Sequence, residues 1–331
     1  MTAASLDIVA IGNAIVDVIA TAEEEFLVAE QLAKGSMQLI SAERATELYS
    51  RMGPGREISG GSAANTVAGM ASLGGKCGFI GQVANDQLGK VFSHDIRAID
   101  VAFTTPAREG EPPTAQCLIL VTPDGQRTMN TFLGASQFLP ASALDKDMIA
   151  SAEILYLEGY LWDPPEPRAA MQSAIGIARS AGRKVALTLS DAFCIERHRD
   201  SFKALIDSGQ IDILFANEAE MHSLMESDHF DESVTAVAAK VPLLVVTRGP
   251  HGALAVTNGV RTDVSAEPVD SVVDTTGAGD LFAAGFLAGQ VAGRSVADSL
   301  TMGAVCAAEV ISHYGPRPEA DLSALVAARL G

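Results

Sequence analysis

The sequence predicts an α/β fold: a mostly parallel central sheet covered by helices, with a small separate sheet inserted into it. Two patterns predict the main layer. Short β-prone runs alternate with Ala-rich helical runs along the chain, which is the rhythm of βαβ units. Several of those runs are almost continuously apolar, as strands covered on both faces require. A third observation predicts the insert. Residues 115–122 and 127–133 are β-prone and flank Pro123-Asp124-Gly125-Gln126, a strong turn signal that makes them a hairpin outside the βαβ rhythm.

Taken in order, strands are predicted at 7–11, 77–83, 154–157, 184–189, 211–216 and 243–247. Helices are predicted between them at 62–73, 167–181, 218–225 and 233–240. Extended segments at 15–20 and 37–40 are positioned to join the hairpin in a small sheet, with a lid as its natural use. The domain reading is therefore a large α/β domain from 1–12, 41–110 and 135–331, and a small β lid from 13–40 and 111–134.

Composition narrows the function. A chain of 331 residues, 48% hydrophobic, supports one large domain with an appendage or two ordinary ones. With 41 acidic against 23 basic residues and a net charge of -18, its surface repels phosphate backbones. That argues against nucleic-acid partners and anionic membranes. Cys77, Cys117, Cys194 and Cys306 are scattered without a C-x-x-C pair. Neither a thiolate metal site nor a disulfide framework is indicated, and small buried core residues are the simpler reading. The N-terminus lacks the pattern of a signal peptide, and no stretch has the length of a membrane span, so cytoplasm is the expected location.

The most informative segment is Asp274-Thr275-Thr276-Gly277-Ala278-Gly279-Asp280, followed by a run of apolar residues that reads as a buried helix. Gly277, Ala278 and Gly279 leave peptide N–H groups uncovered at that helix's N-terminus, where the helix dipole also favours an anion. Asp280 at the helix entry is by itself an ordinary cap. Beside an anion cradle it is also a base for an alcohol nucleophile, and phosphoryl transfer needs both parts. Rival phosphate motifs fail: Gly69 to Gly74 is followed by Gly75-Lys76-Cys77 rather than Lys then Ser or Thr. The next glycine after Gly279 is Gly285, which does not fit a dinucleotide fingerprint.

These residues resemble the signatures of the ribokinase-like (PfkB) family of carbohydrate and nucleoside kinases. Asp274 to Asp280 resembles its C-terminal signature, and Gly60-Gly61-Ser62-Ala63-Ala64-Asn65 its N-terminal one, in family order over nearly the whole chain. The resemblance implies a three-layer sandwich with a β-sheet lid, ATP and Mg2+ as cofactors, and a small-molecule acceptor. It implies Asp280 as the catalytic base and Gly277, Ala278 and Gly279 as the anion hole. Asn217-Glu218-Ala219-Glu220 resembles the N-x-x-E motif, which makes Asn217 and Glu220 the residues that organise magnesium, Glu220 through water. Asp17, Asn13, Gly61 and Asn65 match substrate-contacting positions, and Arg127 a lid arginine over the phosphates. Thr247, Arg248, Gly249, Gly252 and His313 match the nucleotide pocket. Asp274 and Thr276 match a loop that binds potassium in some members.

Within the family, the opening Gly12-Asn13-Ala14-Ile15-Val16-Asp17 resembles adenosine kinases. So do the stretch containing Gln38 and the strand ending at Leu133. Tyr160 and Trp162 follow a strand where an aromatic wall for a purine would sit, although both are equally ordinary core residues. The resemblance thus implies transfer to the 5'-hydroxyl of adenosine, in purine salvage. A free sugar such as ribose or fructose is the alternative acceptor, and a catalytically silent ligand-binding regulator the alternative class. The lid implies a monomer or a lid-mediated homodimer.

Overall fold

The computed structural model describes residues 4–331. Its strands are β1 (Leu6–Ile11), β2 (Ile15–Thr21), β3 (Met37–Leu39), β4 (Arg56–Gly60), β5 (Cys77–Ile80), β6 (Ala102–Phe103) and β7 (Ala115–Val121). There follow β8 (Arg127–Phe132), β9 (Ala152–Glu158), β10 (Lys184–Thr188), β11 (Ile213–Asn217), β12 (Leu243–Thr247), β13 (Ala253–Thr257) and β14 (Val260–Val264). A nine-stranded sheet runs in the order β14-β13-β12-β11-β10-β9-β1-β5-β6. It is parallel from β12 to β6, and antiparallel only in the β12-β13-β14 edge.

Alternation along its strands sends side chains to two cores. Ile8, Ala10, Ile154, Tyr156, Ile213 and Phe215 face one apolar cluster, and Val9, Ile11, Leu155, Leu157 and Leu214 face the other. Both faces are thus buried under helices, which explains the unbroken apolar runs of the sequence. On the first face the helices Ser62–Ser72 and Ala278–Val291 pack together. A side chain at Gly69 would meet Leu281 and Ala284, and one at Gly285 would meet the Met302 carbonyl at 2.5 Å. Gly69 thus lets these two helices approach closely, bringing their N-termini to one place, while Gly285 lets the second lie against the helix Val296–Val310.

A five-stranded sheet, in the order β3-β8-β7-β2-β4, makes the second unit. The β7–β8 hairpin forms around the predicted turn, with Gln116 opposite Phe132. The outer face of this sheet is closed by the chain itself: Val18, Leu118 and Leu120 pack on Leu27, Leu32 and Leu48. The sequence boundaries placed 41–60 with the large domain. In the structure β4 pairs with β2, and Leu48 of the helix Ala42–Arg51 seals the smaller sheet's core. The short polar run Arg-Glu-Ile-Ser-Gly carries no strand periodicity of its own, and pairing with β2 recruits it.

Among the other segments, the sequence missed the β13–β14 hairpin and the short edge strand β6. All of Cys77, Cys117, Cys194 and Cys306 are free and buried, as their core reading requires. No helix among the described residues is long and apolar enough to cross a membrane.

Candidate active site

A cleft of about 690 Å³ lies between the two sheets. Its floor is the carboxyl edge of the parallel strands, since Glu158, Thr188, Asn217 and Thr247 end β9, β10, β11 and β12 and all line it. That edge is where open α/β sheets place their ligands. Its roof is the inner face of the smaller sheet, including Ile15, Asp17, Met37, Leu39, Ile119 and Met129.

At the centre the two helix N-termini meet. Gly277 caps the helix Ala278–Val291 with φ 79 and without a side-chain bond. Ala278 N–H is spent on the Thr275 carbonyl at 3.2 Å, while the N–H groups of Gly277, Gly279 and Asp280 find no partner among the described residues. The open donors at this turn are therefore those of Gly277, Gly279 and Asp280, while Ala278 contributes a small side chain rather than a free N–H. Asp280 projects from the same turn, with both carboxylate oxygens held by the facing helix. Ser62 Oγ donates to Oδ1 at 2.6 Å and Asn65 Nδ2 to Oδ2 at 2.9 Å. Burial raises the Asp280 pKa, while Ser62, Asn65 and Arg317 pull it down. A carboxylate fixed beside a cluster of open N–H donors can take a proton from a hydroxyl while the donors receive an anionic group.

The acceptor side is organised by the segment 59–65. Asp17 lies so close to Gly60 that a Cβ there would sit 2.4 Å from its carboxylate, and a Cβ at Gly61 would sit 2.1 Å from the Asn13 carbonyl. Gly61 also has φ 99. The double glycine is thus required by contact and by backbone conformation. Asp17 is pushed up to about 7 by burial, against the lowering charges of Arg317 and Arg127. Beneath them lies a residue that sequence reasoning passed over, Glu158. It accepts from Asn13 Nδ2 at 2.6 Å and Ala63 N–H at 2.9 Å, and burial pushes it up to about 7. Its only sequence signal is its place at the carboxyl end of an apolar strand.

Other expected residues divide between the cleft and its surroundings. Gln38, Leu133, Tyr160 and Thr247 line it. Trp162 does not: it stacks on Phe202 at 5.6 Å and donates to Ser201, as a core residue. Arg248 lies over the Phe230 ring at 4.6 Å, and Gly249 and Gly252 form the turn between β12 and β13. His313 pairs with Glu309 at 3.1 Å. Arg248, Gly249, Gly252 and His313 do not line the cleft.

Asn217 and Glu220 close a reciprocal cap: Asn217 Nδ2 donates to Glu220 Oε1 at 2.7 Å, and Glu220 N–H donates to Asn217 Oδ1 at 2.8 Å. Glu220 is buried, is pushed up to about 7 by desolvation and by Asp191, and still lines the cleft. A desolvated carboxylate beside a second one suits a divalent cation. With its oxygens already accepting bonds, Glu220 fits a water-bridged ion. Among the described residues, no group of three or more His, Cys, Asp or Glu side chains is placed to cage a metal directly.

The potassium expectation meets a different arrangement. Asp274 pairs with Arg127 at 2.6 Å and also accepts from Thr276 Oγ1 at 2.8 Å and Gly315 N–H at 3.1 Å. The guanidinium already neutralises this carboxylate, so Asp274 and Thr276 do not fit a monovalent cation. Arg127 accordingly stands beside the anion loop, outside the cleft lining, with Nε and Nη2 unpartnered.

A doubly covered parallel sheet whose cleft joins a helix-terminal anion cradle to a held carboxylate defines an α/β small-molecule kinase. The chain belongs to the pfkB family of carbohydrate kinases, whose model matches residues 5–321. It is an ATP-dependent phosphotransferase of the kind that acts on sugars or nucleosides, and its fold is ribokinase-like. It is similar to an adenosine kinase from Sinorhizobium meliloti, 48% identical, with TM-score 0.91 over 98% of this chain and 99% of that one. It is equally similar to a probable sugar kinase from Rhizobium etli, 47% identical, with TM-score 0.92 over 98% and 99%. A fructokinase from Salmonella typhimurium is 28% identical over 76% of this chain and 85% of its own length.

Proposed function

We propose that the chain transfers the γ-phosphate of ATP to the 5'-hydroxyl of adenosine. The observation that carries this reading is the composition of the cleft's two walls. Asp17 and Asn13 offer polar groups suited to a ribose diol, while Met37, Leu39, Ile119 and Met129 form an apolar roof. Met37 and Leu39 are 49% and 62% exposed. A nucleoside has one hydroxylated and one flat apolar half and satisfies both walls. A free hexose, hydroxylated all round, would leave the apolar roof uncovered.

The acceptor is uncharged on this reading. Arg197 is the one cation among the cleft-lining residues and is paired with Asp163. Asp280 takes the proton of the attacking hydroxyl. Ser62 and Asn65 hold the carboxylate in line. The N–H groups of Gly277, Gly279 and Asp280 receive the charge of the transferring group. Asn217 and Thr247 flank the nucleotide, and Glu220 would hold Mg2+ through water. When bound, that ion neutralises triphosphate charge. The smaller sheet acts as a lid that excludes water from the transfer.

A coupled assay of ATP consumption across adenosine, other nucleosides, ribose and fructose tests this. Turnover is expected with adenosine. Turnover with ribose or fructose and none with adenosine would assign the sugar alternative, to which the fructokinase similarity points. Binding of the candidates without any turnover would favour the silent regulator.

A further inference from the structure

We propose that Arg317 is a positioning residue for phosphoryl transfer, clamping the segment 59–64 and supplying the positive charge behind Asp17 and Asp280. The proposal deepens the reading of Asp280 as the base and rests on it. Nothing in the signatures of the sequence points to Arg317, which lies in the irregular stretch before the last helix, Leu322–Leu330.

Its guanidinium bonds to both sides of the Gly60-Gly61 turn. Nε and Nη2 donate to the Ser59 carbonyl at 3.2 and 2.9 Å, Nη2 also to Ser59 Oγ at 3.1 Å, and Nη1 to the Ala64 carbonyl at 2.8 Å. The residues so bracketed are those that touch the acceptor side. Gly60 lies against Asp17, Gly61 against Asn13, and Ser62 donates to Asp280. Asn65, one residue beyond the clamp, holds the other Asp280 oxygen. The same short stretch reaches the phosphate side. Gly315 N–H donates to Asp274, and Pro316 packs against Gly277 so closely that a Cβ there would meet it at 2.8 Å. Three consecutive residues thus join the anion loop to the acceptor loop.

These bonds go to carbonyls and a hydroxyl, so the guanidinium charge is not spent in a contact ion pair. Its field falls on the site carboxylates instead. Desolvation pushes Arg317 down to about 10, with Asp17, Asp280 and Asp95 acting in the opposite sense. Arg317 is the one cation found to lower Asp280. Asp17, Glu158, Tyr156 and Tyr160 interact with Asp280 from β2, β9 and the turn after it. Asp17 has Arg127 as a second cation, with Asp274 opposing. Removing Arg317 therefore leaves Asp280 with no cation to lower it, only the hydrogen bonds from Ser62 and Asn65.

R317Q and R317K separate charge from geometry. With whichever acceptor turns over, R317Q is expected to move the acid limb of kcat/KM upward by roughly one pH unit. R317K keeps the charge and loses the planar fork, so its limb stays in place while the acceptor KM rises about tenfold. An R317Q limb that coincides with that of wild type, with the Asp280 carboxyl titration unmoved as well, overturns the proposal. If R317Q does not fold, R317K decides: an unchanged acceptor KM overturns it. Carboxyl 13C titration of labelled Asp280, assigned with D280N, needs no acceptor. A raised Asp280 titration in R317Q with an unmoved kinetic limb would keep the clamp and refute Asp280 as the base.

Discussion

Asp17→Asn is expected to make the protein more stable and less active, with a pH signature that identifies the cause. The Asp17 carboxylate is buried against Gly60 and is raised from 3.8 to about 7. At about 1.4 kcal/mol for each pH unit, that rise corresponds to about 4 kcal/mol. Between roughly pH 4 and 7 the folded protein holds a proton that the unfolded chain has released, so stability falls as pH rises through that window and stays low above it. A neutral amide removes this slope. D17N should match wild type near pH 4 and exceed it by up to about 4 kcal/mol above pH 7. Urea denaturation at half-unit steps from pH 4.5 to 8.5 measures the difference directly; Glu158 and Glu220 titrate in both proteins and cancel. The same variant should raise the acceptor KM at least tenfold, because charge-assisted bonds to hydroxyls are worth about 1.5–3 kcal/mol each. Parallel stability curves for the two proteins would refute the claim that Asp17 is held under desolvation for the sake of the acceptor.

Other expectations follow from the same geometry. D280N should lower kcat by about 10²- to 10⁴-fold while calorimetry shows ATP binding retained; an active D280N would remove the base assignment. Wild-type activity and Tm should be the same in potassium and tetramethylammonium chloride, because Arg127 already neutralises Asp274; several-fold activation by potassium would refute that. Gly61→Ala should cost stability and acceptor affinity together, since φ 99 and the Asn13 carbonyl both oppose a Cβ, and a variant with wild-type Tm and KM would show that the turn is not tight. Leu155→Ala, in the centre of β9 and fully buried, should lose about 2–5 kcal/mol in urea denaturation.

The architecture was legible because its signals are local. The predicted helix 218–225 coincides with Glu218–Met225, and the strands of the parallel sheet fall within a few residues of their apolar runs. The Gly277 turn and Asp280 could be read together for the same reason: they are neighbours in sequence. What escaped depends on contacts across the chain. Glu158 reaches Ala63 over 95 positions, and Arg317 reaches Ser59 over 258. No spacing rule encodes such pairs. Tyr160 and Trp162 were indistinguishable on paper, but the 3-10 turn Gly159–Trp162 sends the first into the cleft and the second onto Phe202. Arg127 illustrates the same point: it stands beside Thr276, and its partner, Asp274, could be found only in three dimensions.

The segment 59–65 is bound on every side: by Asp95 and Arg317 at Ser59, by Asp17 and Asn13 at the glycines, by Glu158 at Ala63 and by Asp280 at Ser62 and Asn65. So crowded a junction leaves little freedom for drift, and a change at one of its members disturbs several others at once. Met37, Leu39, Ile119 and Met129 touch the cleft without such entanglement. Retuning which alcohol is accepted, by breeding or by engineering, has its easiest route through that ceiling.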